Sequence, residues 1–276
     1  MMLDFLGYGF MQNALLAGLL ASIVCGIVGT LVVVRRIVSL SGSVSHSAFG
    51  GIGLGYYLGI NPIHGALLFS IGSALGIGAV SKYAKEREDT VIGMFWAAGM
   101  AIGILFIGLT PGYAPDLFGY LFGSIISVPT SDIILILLLD VFVIGIVAIL
   151  FKEMMAVAFD EEYSAVAGLP VRFLYYLTLI LVAITIVALI RIVGIILAIA
   201  LLTMPAAIAG KLTHNMKKMM ALSVVLSVLF ITIGLWMSFV LDIESGATII
   251  LVAAAAYTIV TIATALRKRS KRVASA

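Results

Sequence analysis

Few side chains in this sequence can do chemistry, and their apolar surroundings make them conspicuous. His46 lies in Ser39-Leu40-Ser41-Gly42-Ser43-Val44-Ser45-His46-Ser47. Neutral imidazole is the commonest transition-metal ligand, and Ser43 and Ser47 are placed to orient its second nitrogen or to line a path. The plainer alternative is a histidine hydrogen-bonded to a neighbouring helix. Asp140 interrupts an apolar run; a carboxylate there must pair, coordinate a cation or take up a proton. Arg191 divides two further apolar runs. The expectation is that it snorkels to a membrane boundary; facing a cavity instead, it would repel cations or pair with an acid. His64, in Asn61-Pro62-Ile63-His64, reads as a solvated turn residue. Met94, Met100 and Met204 are candidate path-lining residues, Met94 foremost. The phosphate-binding pattern G-x-x-x-x-G-K-[ST] is absent. The reading is of a chain with no nucleotide site and no catalysis of its own.

The elements that position these groups follow from composition. Of 276 residues, 63% are hydrophobic and 11% charged, with a mean hydropathy of +1.26. A soluble domain carries roughly 25% charged residues, so a water-facing surface is excluded, and disorder is excluded with it. The single cysteine, Cys25, rules out an internal disulfide and a Cys₄ zinc site. A membrane helix needs about 20 apolar residues. Uncharged runs fall at 11–34, 37–81 (broken by Asn61-Pro62), 90–115 (ending on Pro111-Gly112 and Pro115-Asp116), 173–190, 192–210, 219–241 and 245–266, and the run 133–151 holds only Asp140. The expectation is an all-α polytopic transmembrane helical bundle of about nine spans, forming one domain over 1–276. The alternating ten-residue segments of a membrane β-barrel are missing.

Charge sets the expected orientation. Arg35, Arg36, Lys82, Lys85, Arg87, Lys152, Arg172, Lys211, Lys217, Lys218 and the tail cations from Arg267 to Arg272 all fall at alternate ends of the spans, with Arg191 alone at the other end. Asp4, Asp116, Asp132, Asp242 and Glu244 lie at the cation-poor side. This puts the N-terminus outside and the C-terminus in the cytoplasm. The basic tail 267–276 reads as a positive-inside anchor rather than a nucleic-acid arm. The opening MMLDFLGYGF has no basic start, so no cleaved signal is expected.

One cytoplasmic stretch is longer than a turn. Residues 158–170 read as a short helix with an acidic start at Asp160, an end at Gly168 and a new element from Pro170. Such a helix is either a lever for a soluble partner or an interfacial connector. Gly51, Gly55 and Gly59, four apart, predict a smooth helix face for close helix–helix packing.

Several segments together resemble the permease subunit of metal-uptake ABC transporters of the zinc/manganese/iron type. They are Gly29 to Arg36 followed by Ser45-His46 and a glycine-rich helix; Asp89-Thr90-Val91-Ile92-Gly93; Tyr120-Leu121-Phe122-Gly123-Ser124; Ala158-Phe159-Asp160 through Gly168-Leu169-Pro170-Val171; Ala200-Leu201-Leu202-Thr203-Met204-Pro205-Ala206-Ala207; and Asp242 with Ser245-Gly246. The resemblance covers nearly the whole chain. It implies a homodimeric pathway in a prokaryotic cytoplasmic membrane and a separate ABC ATPase pair that binds ATP and Mg. It also implies an extracytoplasmic metal-binding protein, and a divalent metal ion as substrate with no cofactor on this chain. The segment at 158–170 then becomes the coupling helix, with Phe159, Asp160, Glu161, Glu162, Ala165 and Gly168 as the residues that couple to the ATPase. The family commonly carries G-D-x-x-[SA]-H at the head of span two, whereas Gly42 stands here in place of the acid. Either two copies of His46 meet at a dimer axis, or Asp140 supplies the missing charge, or the substrate differs. A permease for a metal chelate or cofactor, and an ATP-independent carrier using Asp140, are the competing expectations.

Overall fold

The computed structural model describes residues 9–83, 86–111, 117–123 and 125–274. The side chains of Leu117, Phe118, Phe122 and 268–274 are not described. Asp4, Lys85, Gly112, Pro115, Asp116 and Ser124, all part of the sequence reading, lie outside the described residues. The described chain is helical, without strands: α1 Gly9–Val34, α2 Val38–Leu58, α3 Pro62–Tyr83, α4 Glu88–Leu109, the short α5 Leu117–Phe122, one 3₁₀ turn Ile125–Ser127, α6 Thr130–Ile149, α7 Phe151–Phe159, α8 Glu161–Val166, α9 Val171–Leu212, α10 Met216–Leu241 and α11 Ser245–Ala274.

Seven of these helices are long and apolar enough to cross a membrane: α1, α3, α4, α6, α9, α10 and α11. The sequence spacing gives about nine, and two features account for the difference. First, α2 carries five serines and five glycines and falls below the apolar threshold. It packs along α3 and α4 with most of its length buried, so it has little need of an apolar surface. Second, the two expected runs on either side of Arg191 join in one 42-residue helix, α9. At 1.5 Å per residue a straight helix of that length spans about 63 Å, twice the hydrocarbon thickness. It is not straight: Gly194 has φ 76° and ψ 171°, a conformation that favours glycine. Thr178 bonds Arg35, while Ala206 and Ala209 pack with Val33 and Val34. Both ends of α9 therefore meet the same end of α1, and the helix turns back at Gly194.

The core is built on close backbone approach. On α2, Gly51 sits against the Gly65 carbonyl of α3 and Gly55 against Pro62. A second face of the same helix puts Gly50 and Gly53 on Gly99 and Gly103 of α4. Gly59 does not extend the first face: it has φ 67° and caps α2 in the left-handed conformation, its N–H donating to Tyr56. The Asn61-Pro62 break behaves as a turn, with the Asn61 side chain accepting from the Ile63 N–H. At the other end of the chain, helix α11 continues to Ala274, so the basic stretch begins as helix.

Candidate functional site

His46 is half-buried on α2, facing α4. Its Nδ1 lies 3.3 Å from Met100 Sδ, and its ring stacks on Trp96 at 4.4 Å with an interplanar angle of 17°. Trp96 and Met100 are one turn apart, so a single face of α4 holds the imidazole. Ser43 and Ser47 do not orient it. Ser43 Oγ donates to Ile92 O at 2.8 Å and Ser47 Oγ to Phe95 O at 3.0 Å. Buried hydroxyls need partners, and these two pin α2 to the α4 backbone, which fixes His46 in register with Trp96. A Cβ on Gly42 would come within 3.0 Å of the Trp96 ring. The place where the resemblance leads one to look for an acid is thus covered by an indole. Trp96 is 39% exposed, so the His46 cluster opens at the surface of the single chain. Met94 is also exposed, but two residues from Trp96 puts it about 200° round α4, away from this cluster.

Asp140 lies elsewhere. It is buried on α6, which packs on α1 and α9. Its Oδ2 has no hydrogen-bond partner. His46 and Asp140 thus occupy separate surroundings. Among the described residues, no three His, Cys, Asp or Glu side chains converge as a metal cage.

Arg191 pairs with an acid. Its Nε donates to Asp132 Oδ2 at 2.6 Å, and the pair borders a cavity of about 400 Å³ with Tyr120, Ser127 and Ile190. Beside it, Tyr56 and Tyr120 share a 2.8 Å hydrogen bond that ties the end of α2 to α5. Asp132 is 4% exposed, whereas the Arg191 side chain is 37% exposed, so losing the carboxylate strands a charge that water partly compensates. Asp132→Asn should lower the detergent melting midpoint, at a cost of about 1–3 kcal/mol. Asp132→Asn with Arg191→Gln should cost no more than the worse single change, which a thermal-melt double-mutant cycle measures.

At the opposite end, α6 runs through Leu150 into α7, whose Met154 and Val157 are buried. The following helix α8 is short and well capped. Asp160 accepts from the Tyr163 N–H at 2.9 Å. Gly168, with φ 82°, ends the turn, and Pro170 precedes α9. Phe159, Tyr163 and Val166 are exposed. Of the acidic side chains here, Glu161 binds Arg35 at 2.6 Å and Lys82 at 3.7 Å.

A bundle of long apolar helices, with its few polar groups buried between them, defines a multi-pass membrane protein. The ABC 3 transport family model matches residues 7–264, and the chain belongs to that family. It is accordingly a membrane component of an ABC transporter for metal, in a bacterial-type cytoplasmic membrane. An uncharacterised membrane protein of Synechocystis is 46% identical over 94% of this chain and 92% of its own length. The manganese transport system membrane protein MntC of Listeria innocua is 36% identical, covering 89% of this chain and 88% of its own. The solved structure of PsaBC from Streptococcus pneumoniae in complex with Fab superposes with a TM-score of 0.85 at 30% identity, over 94% of this chain and 95% of that one.

Proposed function

We propose that the chain is the permease of an ATP-driven importer of a divalent transition metal, working by alternating access. The observation that carries this reading is the His46 cluster, a half-buried imidazole with a thioether beside it, set at the chain surface in a member of this family. The Listeria innocua relative and others are named as manganese transport proteins. Imidazole also suits zinc and iron, so all three belong in the test.

Two copies of the permease, brought together on the open side of His46, place two imidazoles on one path. The nine-span arrangement counts α2 as a buried span and α9 as two, with the N-terminus outside and the C-terminus in the cytoplasm. A separate ATPase pair binds below at the exposed side chains of α8, and an extracytoplasmic metal-binding protein delivers the ion above. ATP and Mg belong to the ATPase pair, and this chain has no catalytic role. Asp140 is a second polar position in the membrane, taking a proton or a passing cation on its unpartnered oxygen. ATPase closure acts by binding the two access states unequally, since equal binding shifts nothing.

The test is uptake of manganese, zinc or iron into vesicles holding the permease, its ATPase and its delivery protein. Uptake that requires ATP supports the importer. Uptake without any ATPase gives the chain to the carrier class, and an ATP-dependent complex that moves no free ion gives it to the chelate class.

A further inference from the structure

The segment 158–170 has two sides. Phe159, Tyr163 and Val166 point outward and are exposed. The Glu161 carboxylate points inward. Its Oε1 accepts from Arg35 Nη2 at 2.6 Å, and its Oε2 lies 3.7 Å from Lys82 Nζ. Arg35 follows the last residue of α1, and Lys82 is in the last turn of α3. The Arg35 side chain is only 5% exposed. Its other nitrogen, Nη1, donates to Thr178 Oγ1 at 3.1 Å in the second turn of α9. Both cations lie over the ring of Tyr175, Arg35 at 5.2 Å and Lys82 at 4.0 Å. One carboxylate therefore joins the short cytoplasmic helix to the ends of three membrane helices. Its two oxygens divide the work: one on α1, the other on α3.

The geometry points to Glu161 as the transmission residue of the permease, carrying displacement of α8 into α1, α3 and α9 rather than contacting the ATPase. This rests on the permease reading above and deepens it. The six-residue helix is held at both ends, by Asp160 on the Tyr163 N–H and by the turn through Gly168, which favours its displacement as one piece. Contacts between α8 and α9 are few, and α8 otherwise touches α7. The pair to Arg35 is the stronger of the two links, because it is a short charge-assisted bond whose guanidinium is held in place by burial, although the Glu161 carboxylate itself is 44% exposed. Removing Glu161 also leaves Arg35 with an unpaired nitrogen, so the helix ends are freed from α8 while the outward face of α8 is untouched.

The test uses the permease with its ATPase and its delivery protein in vesicles, measuring retained ATPase, ATP hydrolysis and manganese or zinc uptake on the same sample. Glu161→Gln should keep the ATPase bound and hydrolysis within about twofold of the parent, while uptake falls at least tenfold, so that more ATP is used per ion. Arg35→Gln should do the same, and the double variant should be no worse than the worse single, as expected of one shared link. Arg87→Gln, which removes an exposed pair with Asp89 on the same loop side, should leave the ratio unchanged. If Glu161→Gln does not accumulate, Lys82→Gln carries the test, with a smaller loss of uptake at constant hydrolysis. Loss of ATPase binding in Glu161→Gln makes Glu161 a docking residue and overturns the proposal, as does an unchanged ratio of ATP to ion. A parent that neither retains an ATPase nor takes up metal on ATP addition overturns the permease reading itself, and the transmission role falls with it.

Discussion

His46→Ala should reduce ATP-driven metal uptake by at least about tenfold, the scale seen when a metal-site group is lost, with membrane abundance unchanged. The two halves of that expectation come from different magnitudes. The imidazole stacks on Trp96 and touches Met100, contacts worth about 0.5–1.5 kcal/mol each. Its ring is only half-buried, and α2 stays pinned to α4 through Ser43 and Ser47. The fold loses little, whereas the cluster loses its only imidazole. Met100→Leu keeps the volume and removes the sulfur, and it should cost less uptake than His46→Ala. Uptake by His46→Ala equal to the parent removes His46 from the path. A drop in abundance matching the drop in uptake makes its role structural.

A large effect on stability should come from Gly51→Ala. A methyl at this position overlaps the Gly65 carbonyl and reaches 2.7 Å from the Ala66 nitrogen. Every obstacle is backbone, so no rotamer change relieves it, and α2 must separate from α3 along its length. Overpacking costs about 1–3 kcal/mol where side chains can shift, and more where they cannot. The separation also strains the Ser43 and Ser47 bonds on the other face of α2. Gly72→Ala, on α3 with nothing within 4 Å of its Cβ, is the control and should be neutral. Size-exclusion profiles of detergent-extracted protein should show Gly51→Ala mostly aggregated and Gly72→Ala monodisperse. Equal profiles would show that α2 and α3 do not meet at this glycine.

The sequence made the membrane class and most helix limits readable because charge marks the ends of apolar runs, as at Arg35 and Lys211. Span counting was harder at two places for physical reasons. Helix α2 escapes hydropathy because it is buried by other helices, so serine and glycine suffice where lipid would demand leucine. The turn at Gly194 hides inside an unbroken apolar stretch, since one glycine with positive φ leaves no polar trace. Arg191 beside it was visible, but its partner Asp132, 59 residues away, is a tertiary fact. In the candidate site, His46 stood out by type. Trp96 did not, because a tryptophan in an apolar helix looks like any core or lipid-facing residue until α4 is laid against α2. Conversely, Ser43 and Ser47 are neighbours of His46 in sequence, yet their hydroxyls donate to α4 carbonyls across the helix interface.

Helix α1 is among the most buried of the long helices, and the partners that bury it come late. Gly18 packs on Ile231 and Gly26 on Val224, about two hundred residues downstream. At a synthesis rate of about 5–20 residues per second, the first helix leaves the ribosome roughly 10–40 s before the surface it fits. During that interval the part of its glycine-lined face that meets α10 has only lipid and the earlier segments of the chain against it. The topology therefore makes biogenesis a matter of waiting, in which the earliest segment is kept soluble in the bilayer until the last third of the chain arrives to close over it.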